Sequence, residues 1–387
     1  MKILHLFSDW KWTGPADPVV NLCAALQGRG NEVVLVYRRP PVKIKESVEK
    51  GIREKGIQGL GVFHLEPIAK PYHIFRLKDI ISDIRGIARY IDQEAFDIIN
   101  LHNTHDHIVG GLAARASKRR PPVIRTDHKR DSLKADLISK WFFRSYTDGL
   151  ITFSEWNKAN LVRHVGFPSE KVTKVATAVD LIKFDPQRDY RDMRSVFGIP
   201  SASPVIGIVA RFQRYRRTDI LLAALSHLIK DIPDVRLLLV GHSSQMQRSV
   251  IEPMERLGVA SHVILAGYQM DNYVDALACM DIFVLLTPGS DGTARALREA
   301  MAMAKPVVVT TKGMLPELVQ DGVTGFIVQD TPQTLYQALL PLVKDERLRT
   351  AIGKSAYETA HKEFRLEHQA EQVEAFYRKV LEEVPPS

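Results

Sequence analysis

The stretch PGSDGTARALREAMAMAKPVVVTTKGMLPELVQDGVTGFIV, Pro288 to Val328, decides the reading of this chain. It follows the apolar run Ile282-Phe283-Val284-Leu285-Leu286, bounded by Asp281 and Pro288, which has the character of a buried strand. A Gly-containing turn, a segment of good helix formers from about Ala294 to Met303, and a short strand from Pro306 to Val309 come next. Strand, turn, helix and strand in that order make a parallel α/β unit, in which ligands collect at the carboxyl ends of the strands. The turn holds Asp291, Gly292 and Thr293, where a helix's exposed N–H groups and dipole favour phosphate. Glu299 lies eight residues after Asp291. Carboxylates repel phosphate, so their role beside it is to accept hydrogen bonds from hydroxyls. A diphosphate with a hydroxylated ring at each end, a sugar nucleotide, meets both demands. On the spacing alone, a helix cap and a solvated helix face are the commoner explanation.

Working outward, 387 residues exceed one ordinary core and fit two domains. Hydrophobic content of 45% and charged content of 25% are those of a globular protein. Cys23 and Cys279 lie far apart, without metal-ligand spacing or a disulfide framework, which points to the reducing cytoplasm. No signal peptide is visible, and no apolar run approaches the ~18 residues of a membrane span. A soluble protein, or one attached at most to a membrane surface, is expected. The net charge of +8 is uneven. Residues 1–186 carry 30 Lys and Arg against 21 Asp and Glu, and the other 201 carry 23 against 24. The first half is therefore the part suited to an anionic surface. Signatures of nucleic-acid recognition are lacking, so no nucleic-acid partner is expected.

The chain opens with a strand from Lys2 to Phe7, a loop from Ser8 to Gly14, a helix from about Pro18 to Gly28 and a strand from Glu32 to Tyr37. That order begins a Rossmann-like half, but its loop lacks the Gly-x-Gly-x-x-Gly fingerprint, which argues against a dehydrogenase. The basic stretch from Arg38 to Gly59 reads as a loop and short helix, either a solvated connection or a contact with anionic lipid. A strand from Asp97 to Leu101 delivers His102, His105, Asp106 and His107, and one from Val123 to Thr126 delivers Asp127 and His128. A metal site would need converging ligands from elsewhere, and no partner cluster is evident, so no metal is expected. From Lys134 to Tyr146, Leu137, Ile138, Trp141, Phe142 and Ser145 recur at helical spacing, which reads as a core-facing stripe rather than a membrane anchor. After the strand from Val205 to Val209 come Arg211, Arg214, Arg216 and Arg217, whose guanidinium forks suit a diphosphate.

The matches that fix a family are Asp291, Glu299-Ala300-Met301-Ala302, Lys305-Pro306-Val307-Val308, Gly313 to Glu317, and Asp321-Gly322-Val323-Thr324-Gly325. Together with Ala178-Val179-Asp180 and Phe184-Asp185-Pro186, they resemble the retaining GT-B glycosyltransferases of family 4. Asp291 stands where Glu is usual, Ala304 where Gly is usual, and Lys312 where the first of two glycines is usual. The resemblance implies an α/β GT-B fold, with two Rossmann-like domains of parallel sheets facing across a cleft. The domains would be residues 1–186 on the acceptor side, a hinge at 187–203, a nucleotide-sugar domain at 204–365, and a helix at 366–387 crossing back. It implies His102, Asp291, Arg211 and Arg216 as catalytic residues. Gly14, Gly241, Tyr268, Gly292, Thr293 and Glu299 would bind the donor, and His105 and His128 would lie on the acceptor side. The implied reaction is sugar transfer with retention, without metal or cofactor, from a UDP-sugar ahead of a GDP- or ADP-sugar. The acceptor would be an envelope glycolipid or polysaccharide such as lipopolysaccharide, reached at the cytoplasmic membrane face, with residues 38–55 touching anionic lipid. A sugar-nucleotide epimerase or phosphorylase on the same scaffold, or a non-catalytic nucleotide-sugar-binding protein, stays open at this point.

Overall fold

The computed structural model describes residues 1–12, 15–40, 47–61, 77–128, 136–289 and 294–384. The chain divides into two compact units, Met1–Ala178 with Leu366–Ser387, and Val179–Arg365.

The sheet of the first unit contains β1 (Lys2–Phe7), β2 (Glu32–Tyr37), β3 (Gln58–Gly61), β4 (Ile98–Leu101), β5 (Val123–Thr126), β6 (Gly149–Thr152) and β7 (Val172–Lys174). Its order is β3-β2-β1-β4-β5-β6-β7, all parallel. Both faces are covered, which is why the central strands are near-continuous apolar runs. Alternation along β1 sends Ile3 and Phe7 to one side, into a core shared with the helices Ala16–Gly28 and Leu366–Glu383. Leu4 and Leu6 face the other side, where Ile87 and Ile91 of the helix Leu77–Glu94 and Val109 of the helix Thr104–Ala116 pack. The helix Leu366–Glu383 is tied in by polar contacts as well. Asn100 Nδ2 donates to the Tyr377 hydroxyl, and Arg29 pairs with Glu374 at 2.7 Å.

The second unit contains β8 (Val205–Val209), β9 (Arg236–Val240), β10 (Val263–Gly267), β11 (Ile282–Leu285), β12 (Val307–Thr310) and β13 (Gly325–Val328), ordered β10-β9-β8-β11-β12-β13 and parallel. Phe283 and Leu285 pack with the helix Arg295–Ala302 on one face. Ile282 and Val284 pack with the helices Thr218–Asp231 and Pro332–Lys344 on the other. In both sheets the order reverses beside the first strand, at β1/β4 and at β8/β11, the kind of switch point at which open α/β sheets form a crevice at the carboxyl ends.

Three local outcomes depart from the sequence reading. β3 lies within and just past the stretch read as loop and short helix, and the helix there is confined to Val48–Glu54. Residues 179–203, which sequence divides between first domain and hinge, pack with the second unit: Val179, Phe184 and Ile199 enter its core, and Val179 N donates to Phe364 O at 2.9 Å. The supposed core stripe of the helix Leu137–Tyr146 is overturned. Only Phe143 is buried, while Leu137, Ile138 and Trp141 are 85%, 79% and 58% exposed. Helical spacing identifies an apolar face but carries no information about whether another element covers it.

Candidate functional site

In the second unit Arg211 and Arg216 follow β8, Gly241 follows β9 and Tyr268 follows β10, each at a carboxyl end of the sheet. Arg211 is exposed just beyond β8. Arg216 is buried, and its Nη1 donates to the carbonyl of Thr287, just past β11, at 2.6 Å. Its guanidinium also lies 5.5 Å from the Tyr215 ring centre. The neighbouring Arg217 is used differently. It takes the left-handed conformation that starts the next helix (φ +57°), and its Nη1 pairs with Asp330 at 2.8 Å, which Lys312 also contacts. Thus the loop's arginines are not equivalent, and Lys312, the departure from the family's glycine, is engaged by a carboxylate.

Gly241 lies directly after β9 with φ +129°, and a Cβ there would stand 2.0 Å from the carbonyl oxygen of Ala210. Only a residue without a side chain allows this approach. Gly241 N donates to Gly267 O at 2.7 Å, drawing the ends of β9 and β10 together. Tyr268, the next residue, is 75% exposed.

Glu299 is 2% exposed, on the inner side of the helix Arg295–Ala302. One carboxylate oxygen accepts from the Tyr273 hydroxyl, and the other accepts from Arg295 Nε at 2.6 Å. Burial, and then the Glu299 charge, push the Tyr273 phenol well above its ordinary value, so it remains a donor. Sequence reasoning missed Tyr273, because nothing in a tyrosine 26 residues upstream marks it as a partner of Glu299. Ala294, at the helix start, has φ +47°. Asp291, Gly292, Thr293 and Gly14 lie outside the described residues.

At the β1/β4 crevice of the first unit, His102 joins two other histidines. Its Nε2 is 2.9 Å from His5 Nδ1, and its Nδ1 is 3.0 Å from His128 Nε2. Desolvation lowers the pKa of His5 to about 3 and that of His128 to about 3, the latter aided by the buried Arg125. His102 is likewise held well below its ordinary value by burial, then by His5, His128 and Arg125. Three neutral imidazoles in line have one N–H each, so both hydrogen bonds must run in the same direction along the chain. The outer nitrogens, His5 Nε2 and His128 Nδ1, have no hydrogen-bond partner. His5 was missed by sequence because it reads as one more position of a buried strand.

The other two histidines of the cluster separate by role. His107 Nε2 meets Thr147 Oγ1 at 2.6 Å, and its ring packs on Phe142 and Phe143, a structural use. His105 is buried with neither ring nitrogen hydrogen-bonded, and burial and then Arg38 lower its pKa to about 4. Asp106 fastens the local backbone, accepting from Ser8 N at 2.8 Å and Asn103 N at 2.7 Å; burial raises its pKa to about 6. Among the described residues, no three His, Cys, Asp or Glu side chains are arranged to hold a metal ion.

Two Rossmann-like units of parallel sheet, with their polar side chains collected at the strand ends, define a GT-B glycosyltransferase fold. Residues 189–359 match the family described as Glycosyl transferases group 1, and residues 14–183 match Glycosyltransferase Family 4. The two matches span most of the chain, and the protein belongs to this family of glycosyltransferases. It is similar to N-acetyl-alpha-D-glucosaminyl L-malate synthase of Bacillus anthracis, with 27% identity over 302 residues, 76% of this chain and 78% of that one. It is 25% identical to a UDP-Gal:alpha-D-GlcNAc-diphosphoundecaprenol alpha-1,3-galactosyltransferase of Escherichia coli, over 73% of this chain and 75% of that one. Its fold is similar to that of Alr3699/HepE from Anabaena, solved in complex with UDP-glucose, at a TM-score of 0.76 and 19% identity. That likeness covers 99% of this chain and 100% of the other.

Proposed function

We propose that this glycosyltransferase moves a sugar from a nucleotide-sugar donor, a UDP-sugar ahead of a GDP- or ADP-sugar, to an envelope glycolipid or polysaccharide such as lipopolysaccharide. The anomeric configuration is retained, and the reaction takes place at the cytoplasmic face of the membrane. The observation that carries the donor half is Arg216, a buried guanidinium anchored on the Thr287 carbonyl at the mouth of the sheet, in the same loop as the exposed Arg211. Charge fixed in advance at that position stabilises the negative charge growing on a departing diphosphate. Glu299, oriented by Tyr273 and Arg295, keeps lone pairs for the ribose hydroxyls. Asp291 is assigned the hydroxyls of the transferred sugar, Gly241, Tyr268, Gly292 and Thr293 the nucleotide and its phosphates, and Gly14 the donor phosphate. His102 is assigned a place beside the reacting sugar, where, with both ring nitrogens held by His5 and His128, it contributes a fixed neutral wall rather than a hydrogen bond, and His128 and His105 are assigned to the acceptor side.

The UDP-glucose bound to the Anabaena protein and the diphosphoundecaprenol acceptor in the name of the E. coli relative support the donor and acceptor classes. The test is calorimetry with UDP-, GDP- and ADP-sugars, followed by transfer from the tightest donor to lipid-linked and soluble saccharides, with the product anomer read by NMR. Preference for UDP and an unchanged anomer are expected. Failure of every UDP-sugar to bind would end the donor assignment.

A further inference from the structure

The helix Leu137–Tyr146 presents an apolar face to water. At about 100° per residue, Leu137, Ile138 and Trp141 fall on one arc, and Lys140 and the exposed Arg144 follow along its edge. Its opposite side is fastened: Phe143 is buried with Leu150, Leu161 and Val165. The helix contains no Asp or Glu. The adjoining carboxylate, Asp136, is turned to the cap, accepting from Ser139 N and Ser139 Oγ at 2.9 Å each. No helix among the described residues is long and apolar enough to cross a membrane.

We propose that this face docks on a bilayer bearing anionic headgroups, with Leu137, Ile138 and Trp141 entering the headgroup–acyl boundary and Lys140 and Arg144 reaching the phosphates. An apolar arc with a basic edge and a tryptophan is the arrangement of a helix lying in the membrane interface. The unit that carries this helix, residues 1–178 with 366–387, holds 31 Lys and Arg against 24 Asp and Glu, and this excess of seven positive charges draws it toward such a surface. A second copy meeting this face through its own would bring Lys140 and Arg144 against like charges. The proposal deepens the glycolipid reading by moving the lipid contact from residues 38–55 to this helix, and it does not depend on the donor.

The test uses the full chain with vesicles of phosphatidylcholine, with and without phosphatidylglycerol. Wild type should bind the anionic vesicles at low salt, with a blue shift of emission that disappears in Trp141→Phe. The triple variant L137S/I138S/W141S should lose about tenfold or more in vesicle affinity. Lys140→Gln and Arg144→Gln should each lose about fivefold, on anionic vesicles alone. UDP affinity and melting temperature, unchanged in all variants, report that the fold is intact. Wild type ignoring anionic vesicles, or the triple variant binding them equally well, overturns the proposal. So does a wild-type dimer that the triple variant splits, which assigns the face to a second copy. If vesicle binding holds while no lipid-linked saccharide is glycosylated, the glycolipid reading alone fails.

Discussion

The two sheets repeat one strand order and differ in what they place at the reversal point. In the first unit the crevice holds three neutral imidazoles above a buried arginine, with Asp106 and Asp127 compensating its charge. In the second it holds arginines at the surface and in the wall, and a carboxylate whose oxygens are already oriented. The backbone supplies the same location twice, and the side chains decide which chemistry can enter it. Neutral imidazoles suit hydroxyl-rich groups whose charge does not change, whereas fixed guanidinium groups suit a group that becomes more negative as it leaves.

The strongest way to break this contrast is Arg216→Ala. Loss of a charge-assisted contact that tightens in the transition state should lower the transfer rate roughly 30- to 1000-fold. Arg211→Ala, at an exposed position, should do the same without a cost in stability. Steady-state rates at saturating donor decide the matter, and values within threefold of wild type would remove both from the mechanism. Gly241→Ala tests the backbone under the second crevice. A methyl group 2.0 Å from the Ala210 carbonyl at φ +129° cannot be accommodated without moving strands, so unfolding in urea should show a loss on the order of 2–4 kcal/mol.

The first crevice is probed by pH. The unfolded chain protonates His5 and His128 near pH 6.5, while the native protein holds both at about 3. Their contribution is therefore complete above about pH 6.5 and is lost as pH falls toward 3. Asp106, raised to about 6, acts in the opposite sense, its contribution lost as pH rises through about 6. The histidines outnumber it. Melting temperature should therefore drop from pH 7 to pH 5, each histidine giving up to ~1.4 kcal/mol per pH unit. His5→Asn should flatten that slope in scanning calorimetry, and an unchanged slope would place the titration elsewhere. The smallest effect is expected from Tyr273→Phe. Removing one donor from Glu299 should weaken UDP binding about 2- to 10-fold by calorimetry, with the rate at saturating donor kept.

What the sequence showed and hid follows from how far apart the partners are. The second crevice is written in two local words, a strand with its arginine loop and a helix that carries Glu299, but the bonds that join distant parts of it, Arg216 to Thr287 and Tyr273 to Glu299, span 71 and 26 residues and were not legible. The histidine chain joins His5, inside β1, to the strand-end residues His102 and His128 over separations of 97 and 26 residues, and only the parallel topology brings them together. His102 and His128 were recognisable as strand-end residues, but their mutual bond and His5 were not. β3 was hidden because Gln58-Gly59-Leu60-Gly61 has the composition of a turn and becomes a strand by pairing along the edge of β2. The helix Leu137–Tyr146 was legible as a helix and misread in its environment, since exposure belongs to the neighbours and not to the residues themselves.

The helix Leu366–Glu383 has a consequence for the order in which the protein can be made. It completes the first unit, yet the ribosome releases it only after all of Val179–Arg365 has emerged. The second unit is contiguous and can close as soon as it is synthesised, whereas the first waits with the apolar side of Ala16–Gly28 uncovered. Val373, Phe376 and Tyr377 are the residues that end that wait, and the Tyr377 hydroxyl meets Asn100 on β4, the strand that leads directly to His102. The half of the molecule translated first is thus the half finished last, and during synthesis it is the more exposed to chaperones and to misassembly.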